Sequence, residues 1–334
     1  MKSILKLLIY PIIFLGGIIR FILFGSNGQQ SFFAFRYLFV LTNGKSNDIA
    51  SSIISFFTPQ YKVIPPIGIL SHLTDNEVEK VVADVNKTGF HVFTTKLSPT
   101  QIEELTQFAT STPVSYLEYN KKYITYSKEQ ILFNENAPIS PRFQFKNTDL
   151  INQPLIQDLA FDQSLLRIAN SFLKTKPILD IISMWWSVPF DKKAEDRAAQ
   201  KYHFDMDRFK FIKFFFYLTD VDTNTGPHCY VKGSNKDIPK KVLIDRRIED
   251  FEISECYPAE DIIELTASKG SIIAVDTRGF HKGKSLKSNK RLLLQLQFSN
   301  SLFGTTSSKI KNITLSDEND KQWKQKKHSY QLIN

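Results

Sequence analysis

Short stretches of β-branched and aromatic residues, separated by turn signals, occupy the second half of the chain. Six of them are predicted to be strands: residues 178–188, 201–207, 209–218, 229–231, 271–275 and 292–298. No long helical pattern lies between them, which argues against alternating strands and helices. The pattern therefore predicts a mainly β fold with flanking helices (α+β), built as an antiparallel sandwich or a double-stranded barrel.

Helical spacing is confined to the region before these strands. Thr74 with Glu77, and Ser98 with Gln101, form capping-box patterns, and each is followed by an apolar stripe. The first of these helices is predicted to end at Gly89, and a short strand follows at residues 90–95. Further helices are predicted near residues 154–159 and 163–173.

The first 65 residues form an apolar module. Residues 7–19 carry no charge, and the apolar run resumes at residues 21–24 after Arg20. A bilayer span needs about 20 apolar residues, which the segment reaches only if Arg20 extends its charge to the headgroups. A span, an interfacial helix and packing on the protein's own domain all stay open. We expect residues 4–24 to associate with a membrane and no cleaved signal peptide, since no small-x-small site follows.

The predicted domain division places this apolar module at residues 1–65, the β domain at 66–304, and a polar, basic tail at 305–334. Thr58-Pro59 and Pro65-Pro66 mark the first boundary, since proline breaks regular structure. The tail reads as a solvated terminus, with Trp323 as an anchor to the body.

Charge and cysteine usage narrow the possible partners and the cellular compartment. The formal charge is +9, but the basic residues are scattered rather than gathered in a patch, so no nucleic-acid partner is predicted. The two cysteines, Cys229 and Cys256, have no metal-type spacing, which favours a reducing compartment and a cytoplasmic location.

His203 and Asp205 are two positions apart in the segment KYHFD. On an extended strand such residues point the same way and can share a metal ion. His281 is the strongest candidate for a third ligand, because it follows an apolar strand and a short turn with Gly279; His228 is kept as a minor alternative. Two histidines and one carboxylate bind Fe(II) while leaving three positions open.

Arg291 follows His281 by ten residues and opens the last predicted strand. Taken alone, it would be a surface arginine beside Lys290. Next to an Fe(II) site, its planar guanidinium suits the carboxylate of a dicarboxylic co-substrate.

These landmarks, taken in order, resemble the phytanoyl-CoA dioxygenase family of iron(II)- and 2-oxoglutarate-dependent oxygenases. They are His203-Phe204-Asp205, Asn224-Thr225-Gly226-Pro227, the segment VKGSNK at 231–236, His281 and Arg291. The resemblance covers residues 81–303 or so, including the segment NKTGFHVF at 86–93. Lys232 stands where the family usually has proline, and Asn235 where it usually has a histidine that is not a metal ligand.

The resemblance implies a jelly-roll core in which His203, Asp205 and His281 hold iron. In that family 2-oxoglutarate chelates the iron, O₂ binds beside it, and the co-substrate leaves as succinate while the substrate is hydroxylated. Arg291 would take the distal carboxylate. The remaining co-substrate contacts predicted are Phe215, by strand parity with Phe211, Lys213 and Tyr217, then Trp186 and Gln200.

The sequence indicates less about the residues that bind the main substrate. One of Trp185 and Trp186 is expected in the core and the other along the pocket; Tyr202 and Arg142 are further polar candidates, and residues 116–145 a candidate lid. A small organic or lipid-like substrate is predicted. Two other readings stay open: a non-catalytic, membrane-associated jelly roll that binds a ligand or partner, and a cupin-like metal enzyme that uses no 2-oxoglutarate.

Overall fold

Two antiparallel sheets face each other at the centre of the protein. The computed structural model describes residues 2–118, 125–190 and 198–334. The helices are α1 Lys2–Phe24, α2 Gln29–Thr42, α3 Lys45–Phe57, α4 Asp75–Thr88, α5 Pro99–Ser111, α6 Asn147–Asn152, α7 Pro154–Ala160, α8 Gln163–Leu173, α9 Asp250–Ser254 and α10 Asp317–Gln325. The strands are β1 Ile67–Gly68, β2 Ser71–His72, β3 Phe90–Lys96, β4 Ser115–Tyr116, β5 Arg142–Gln144, β6 Ile178–Ser187, β7 Phe211–Tyr217, β8 His228–Val231, β9 Ile262–Leu265, β10 Ser271–Val275, β11 His281–Gly283 and β12 Arg291–Ser299.

The larger sheet has the strand order β3-β10-β7-β12-β6-β5-β4, and the smaller has the order β11-β8-β9. All the pairings within them are antiparallel. Neighbours in each sheet are mostly distant in sequence, which is typical of a double-stranded jelly roll. The predicted fold class is confirmed.

Strand alternation divides the larger sheet into two faces. On β12, Leu292, Leu294 and Leu296 belong to the main apolar core, while Arg291 and Gln295 lie on the other face. Helices α4, α5, α7 and α8 cover the core face. The inner face is therefore left for the smaller sheet and for a cavity between the two.

The predicted caps of the first two helices on this core face are confirmed. Thr74 and Glu77 form a complete capping box on α4, and Ser98 and Gln101 form one on α5. These reciprocal bonds satisfy backbone N–H groups that a helix start leaves unpaired, so both helices begin where their sequences indicate.

The N-terminal helices cover the outer side of the smaller sheet. Phe35 and Phe39 of α2 pack with Phe204, Val231 and Phe280 in a second apolar cluster. Phe39 stacks on Phe204 with 5.4 Å between ring centroids. A hydrophobic side chain of α2 thus contacts the residue between His203 and Asp205.

The segment 201–207 is not the continuous strand predicted. Only Tyr202 and His203 form isolated bridges, to Ile248 and His281. The backbone of Asp205 donates instead to Thr277, at 2.8 Å. The segment is extended, but its hydrogen bonds go to three different partners, so no ladder forms.

The C-terminal residues are not the solvated terminus that their composition indicated. Tyr330 is fully buried and lies 4.1 Å from Phe161, measured between ring centroids. Ser329 accepts a backbone hydrogen bond from Leu179, at 2.9 Å. The many lysines of this segment made it look polar, although a few of its apolar side chains complete the core.

Trp323 lies in the same segment and donates to the carbonyl of Ile333 at 3.0 Å. The domain division itself stays a prediction.

Replacing Tyr330 with alanine is expected to lower the free energy of unfolding by about 3 kcal/mol, because it empties a buried site that an aromatic ring fills. Denaturant unfolding followed by circular dichroism measures this change. Lys321→Ala, at an exposed position of the same tail, is the matched control and should stay within about 0.5 kcal/mol of the parent. Equal stability of the two variants would contradict the burial of Tyr330.

Candidate metal centre

A two-bond backbone bridge brings His203 and His281 together. The amide of His203 donates to the carbonyl of His281 at 3.0 Å, and the amide of His281 donates back at 2.9 Å. The two rings are 4.2 Å apart between centroids. Asp205 follows on the same extended segment, where its own amide bond to Thr277 sets its position. Backbone geometry alone therefore places all three side chains at one point.

Each imidazole is oriented by a local carbonyl. His203 Nδ1 lies 2.9 Å from the carbonyl of Lys201, and His281 Nδ1 lies 3.0 Å from that of Gly279. A carbonyl only accepts, so Nδ1 carries the proton in both rings and Nε2 is left as the metal-binding atom. The Nε2 atoms lie 3.6 Å and 3.5 Å from the two carboxylate oxygens of Asp205. One ligand atom from each residue falls within 4.8 Å of the other two.

Burial keeps both imidazoles neutral. It lowers the pKa of His203 to about 4, and burial together with the neighbouring His203 lowers the pKa of His281 to about 3. Burial alone would raise the pKa of Asp205, but the charged Lys213 beside it holds that pKa well below its ordinary value. At neutral pH the set is two neutral imidazoles and one carboxylate, the form that binds a divalent metal.

Lys213 and Thr277 both bind the same oxygen of Asp205. Lys213 Nζ lies 2.6 Å from Oδ2, and Thr277 Oγ1 donates to Oδ2 at 2.8 Å. Oδ1 makes neither of these contacts and lies on the side of His203. Burial would lower the pKa of Lys213, but Asp205 and Asp207 raise it, so the lysine stays charged. These outer contacts fix the orientation of the carboxylate.

Sequence reasoning missed the bond between Lys213 and Asp205. Strand parity placed Lys213 on the cavity face of β7, but assigned it no partner. A usable signal was present, because a lysine inside the fully buried run FIKFFFY must find an acidic partner. Thr277 gave no signal, since its position depends on the turn after β10.

A cavity of about 230 Å³ extends from these residues along the inner face of the larger sheet. Its walls include Trp185, Phe215 and Leu293, and its polar lining includes Arg142, Gln295 and Arg291. The Arg142 guanidinium lies over the Trp185 ring, 4.1 Å from its centroid. The cavity is therefore cationic, with flat apolar walls.

Arg291 is a buried part of the lining of this cavity. Its guanidinium donates to the carbonyl of Gly226 and lies 3.4 Å from Ser187 Oγ, while Nε has no partner among the described residues. Burial lowers the pKa of Arg291 from its ordinary value. Gly226 has φ +74°, and a Cβ there would lie 2.7 Å from the Lys284 carbonyl, so glycine is required at this turn.

The other residues predicted from sequence divide into two groups. Phe215 lines the cavity, with its ring centroid 5.0 Å from that of His228. His228 also lines it but lies outside the group of possible ligands. Gln200 lies in an adjoining outer pocket, and Tyr202 is buried in the second apolar cluster.

The assignment of Trp186 to the co-substrate is corrected. Trp186 is fully buried on the core face of β6, where it stacks on Phe133 and donates to the carbonyl of Ala109 at 3.3 Å. Trp185 points into the cavity instead. Adjacent strand residues face opposite ways, so the choice between the two depended on the register of β6, which the sequence left open.

The comparison with family models decides the classification. The model described as phytanoyl-CoA dioxygenase (PhyH) matches residues 85–292, which include all three clustered residues and Arg291. The chain belongs to the phytanoyl-CoA dioxygenase family. The resemblance drawn from sequence is confirmed, and the chain is an iron(II)- and 2-oxoglutarate-dependent oxygenase.

This chain is similar to solved structures of low sequence identity, among which SnoN supports the fold. The epimerase SnoN from nogalamycin biosynthesis, in complex with Fe³⁺, α-ketoglutarate and nogalamycin RO, is 13% identical; the match has a TM-score of 0.50 and covers 70% of this chain and 86% of SnoN. EctD from S. alaskensis, with 2-oxoglutarate and 5-hydroxyectoine, is 15% identical, with a TM-score of 0.47 and coverage of 72% and 86%. HygX from Streptomyces hygroscopicus, with nickel, 2-oxoglutarate and hygromycin B, is 14% identical, with a TM-score of 0.44 and coverage of 70% and 89%. A comparison with curated proteins gives no match.

The residues present fit the cofactors of this family. The donor set offers two neutral nitrogens and one carboxylate oxygen, and the buried Arg291 Nε is an unpaired donor in the adjoining cavity. When bound, Fe(II) supplies the site at which a 2-oxo acid and O₂ meet.

Single replacement of His203, Asp205 or His281 by alanine is expected to weaken Fe(II) binding by more than about 100-fold, since even outer contacts contribute about 10–100-fold. Anaerobic equilibrium dialysis measures the affinity. His72→Ala, at an exposed histidine, is the matched control. His228→Leu tests the alternative ligand and should retain binding. Undiminished affinity after any of the three alanine changes would remove that residue from the site.

Proposed function

We propose that this protein hydroxylates a small organic or lipid-like substrate. One atom of O₂ enters the new hydroxyl group, and the other enters the carboxylate of succinate as 2-oxoglutarate loses CO₂. The fold alone does not select hydroxylation, because SnoN, of similar fold, is an epimerase. The proposal rests on the family and on the shape and charge of the site.

The observation that carries the proposal is that a metal-binding cluster and a buried arginine line one small cavity. The cluster is His203, Asp205 and His281, and the arginine is Arg291. A volume of about 230 Å³ is below the roughly 300–1,000 Å³ typical of drug-sized ligands, which suits a five-carbon dicarboxylate.

In this proposal Arg291 holds the distal carboxylate of 2-oxoglutarate. A guanidinium pairs with a carboxylate through two parallel hydrogen bonds, and burial strengthens that pairing. Arg142 adds a second positive charge to the lining, stacked on Trp185. Phe215 provides an apolar wall beside the co-substrate chain, and we assign it a packing role there.

The apolar walls also keep water from the reacting atoms. Trp185, Phe215 and Leu293 are all buried side chains that line the same cavity. Excluding water protects the oxidation from unwanted reductants and strengthens the charge pairing around the metal.

We place the main substrate in the outer pocket, of about 860 Å³. Consecutive residues link it to the inner cavity: Ala199 lines the cavity and Gln200 the pocket, and Gly283 lies between Lys282 and Lys284. Both of these lysines are paired, Lys282 with Asp250 and Lys284 with Glu264. Leu286 and Phe251 supply apolar surface, so a mixed polar and apolar substrate suits the lining. We assign Gln200 to this substrate. Residues 116–145, of which 119–124 lie outside the described residues, stay our candidate for a lid.

We also propose a cytoplasmic location, with residues 4–24 attaching the protein to a membrane. Cys229 and Cys256 are free thiols, which suits a reducing compartment. The stretch Leu5–Phe24 is long and apolar enough to cross a bilayer by length and composition. An apolar attachment of this kind supports a lipid-like substrate, and we keep residues 1–65 as the module responsible.

The protein is expected to convert 2-oxoglutarate to succinate in a reaction that needs Fe(II) and O₂, slowly without substrate and faster with it. Mass spectrometry of succinate and of candidate lipids and metabolites measures both products. His203→Ala should abolish succinate formation, while His72→Ala should not. Succinate formation that persists in His203→Ala would contradict the proposal. The proposal would also fail if metal-loaded protein forms no succinate with any candidate substrate.

Arg291→Gln is expected to raise the KM for 2-oxoglutarate by about 10–100-fold, since hydrogen bonds to charged groups contribute about 1.5–3 kcal/mol. Steady-state succinate formation measures KM and kcat separately. Arg246→Gln, which removes an exposed guanidinium paired with Glu252, is the matched control and should leave KM unchanged. An unchanged KM in Arg291→Gln would move the distal carboxylate elsewhere.

A further inference from the structure

Helix α1 exposes one continuous aliphatic stripe. Its six members are spaced three or four residues apart, so they share one helix face. Each of them is between 57% and 75% exposed: Leu5, Leu8, Ile12, Leu15, Ile19 and Ile22. Soluble proteins rarely leave such a contiguous aliphatic surface in water, so the stripe calls for an apolar partner.

The opposite face of α1 packs against the rest of the protein and is fixed there by aromatic contacts. Tyr10 contacts Tyr37 of α2 with 4.7 Å between ring centroids. Phe14 lies 6.0 Å from Phe209, and Phe21 lies 5.6 Å from Phe303, by the same measure. These contacts recur at helical spacing, about half a turn around from the exposed stripe.

Small residues let α1 and α2 approach closely. A Cβ at Gly17 would lie 2.2 Å from Ser31 Cβ, so any larger residue there would push the helices apart. Ser31 also donates to the carbonyl of Ile13 at 3.3 Å. The loop between the helices is held as well, since the buried Asn27 accepts from the Gly304 amide at 3.0 Å. The attachment is thus built from packing and hydrogen bonds together.

This attachment opposes a membrane-crossing role for α1. The fastened stretch from Tyr10 to Phe21 measures about 16 Å along the helix, roughly half of the ~30 Å hydrocarbon thickness. If α1 crossed the bilayer, the backbone and polar loops around Phe209 and Phe303 would enter hydrocarbon with it. Unsatisfied backbone groups are not tolerated there.

We propose that α1 lies in the plane of a membrane, with its aliphatic stripe in the lipid and its opposite face on the oxygenase domain. In this orientation the exposed stripe contacts lipid, while the opposite face keeps its contacts with the domain. The domain then rests on the membrane surface as a whole. This inference concerns attachment only and rests on no step of the proposed reaction.

Charge favours a lipid surface over a second copy of this chain. The first acidic residue in the sequence is Asp48, whereas Lys2, Lys6, Arg20, Arg36 and Lys45 precede it. Among these, Arg36 is neutralised by an ion pair with Asp245. Two such modules brought face to face would repel, while anionic headgroups would attract them.

Helix α3 adds a second exposed apolar stripe. Ile49, Ile53, Phe56 and Phe57 are all more than half exposed. The helix is fixed on the body, because Ser51 accepts from Asn300 at 3.0 Å and Arg278 pairs with Asp48 at 3.2 Å. Apolar side chains of this kind, phenylalanine among them, suit the boundary between lipid headgroups and acyl chains.

Co-sedimentation of the full-length protein with vesicles tests the attachment. Vesicles of phosphatidylcholine, alone and mixed with an equal amount of phosphatidylglycerol, are compared. The protein should bind both and bind the anionic vesicles more tightly. The double change Leu15→Gln with Ile19→Gln should weaken binding by about tenfold or more, because each replaces an aliphatic contact with lipid.

The matched control is Leu132→Gln with Ile139→Gln, two exposed aliphatic residues outside the N-terminal helices. It should bind vesicles as the parent does. Equal loss in both double variants would overturn the proposal. Failure of the parent to bind either kind of vesicle would also overturn it. If the Leu15→Gln, Ile19→Gln variant then changes a dimer to a monomer in analytical ultracentrifugation, the stripe is a contact between two copies of this chain instead.

Depth measurements separate an in-plane helix from a span. Single spin labels are placed by Leu8→Cys, Leu15→Cys and Ile22→Cys in a Cys256→Ser background, since Cys229 is buried. On vesicles, electron paramagnetic resonance accessibility to oxygen and to a water-soluble nickel chelate reports depth. Equal depth at the three positions supports the in-plane helix. A label at Leu15 that lies much deeper than the other two would establish a span and overturn the proposal.

Discussion

The paired backbone hydrogen bonds between His203 and His281 are the constraint on which the site depends. They join two segments that are far apart in sequence and belong to no common ladder beyond this bridge. The amide of Asp205 adds one further bond, to Thr277, and the triad is complete. Because backbone bonds set the positions, the contacts of the two Nδ1 atoms with the backbone carbonyls of Lys201 and Gly279 need only orient the rings. Packing of Phe39 on Phe204 holds the same segment from the other side, so the N-terminal helices support the metal centre from behind.

Charge is distributed around this bridge so that the site can take both a metal and an anion. Burial keeps His203 and His281 neutral, as their lowered pKa values indicate, while Lys213 holds one oxygen of Asp205. Along the cavity, Arg291 and Arg142 are positive and poorly compensated. A divalent cation held by the three clustered residues and a dicarboxylate paired with Arg291 would balance these charges. Arrangement of fixed charges in a dry cavity is the main means by which a protein directs such a reaction.

Sequence reasoning reached the parts of this arrangement that depend on residue type and order. The capping boxes at Thr74 and Ser98 and the strand class of the core follow from local pattern, and the structure bears them out. The choice of Trp186 over Trp185 failed because one position of register reverses every side chain. The burial of Tyr330 was missed because its few apolar neighbours in the tail are outnumbered by lysines. The run FIKFFFY indicates that Lys213 needs an acidic partner, but the choice of Asp205 depends on tertiary geometry.

The central claim is that His203, Asp205 and His281 hold Fe(II) with 2-oxoglutarate beside it. Anaerobic absorption spectroscopy tests it most directly, because a 2-oxo acid that chelates Fe(II) gives a visible charge-transfer band. The band should appear when 2-oxoglutarate is added to the iron-loaded protein, and should be absent for Asp205→Ala. A folded, iron-loaded protein that develops no band at saturating 2-oxoglutarate would contradict the claim.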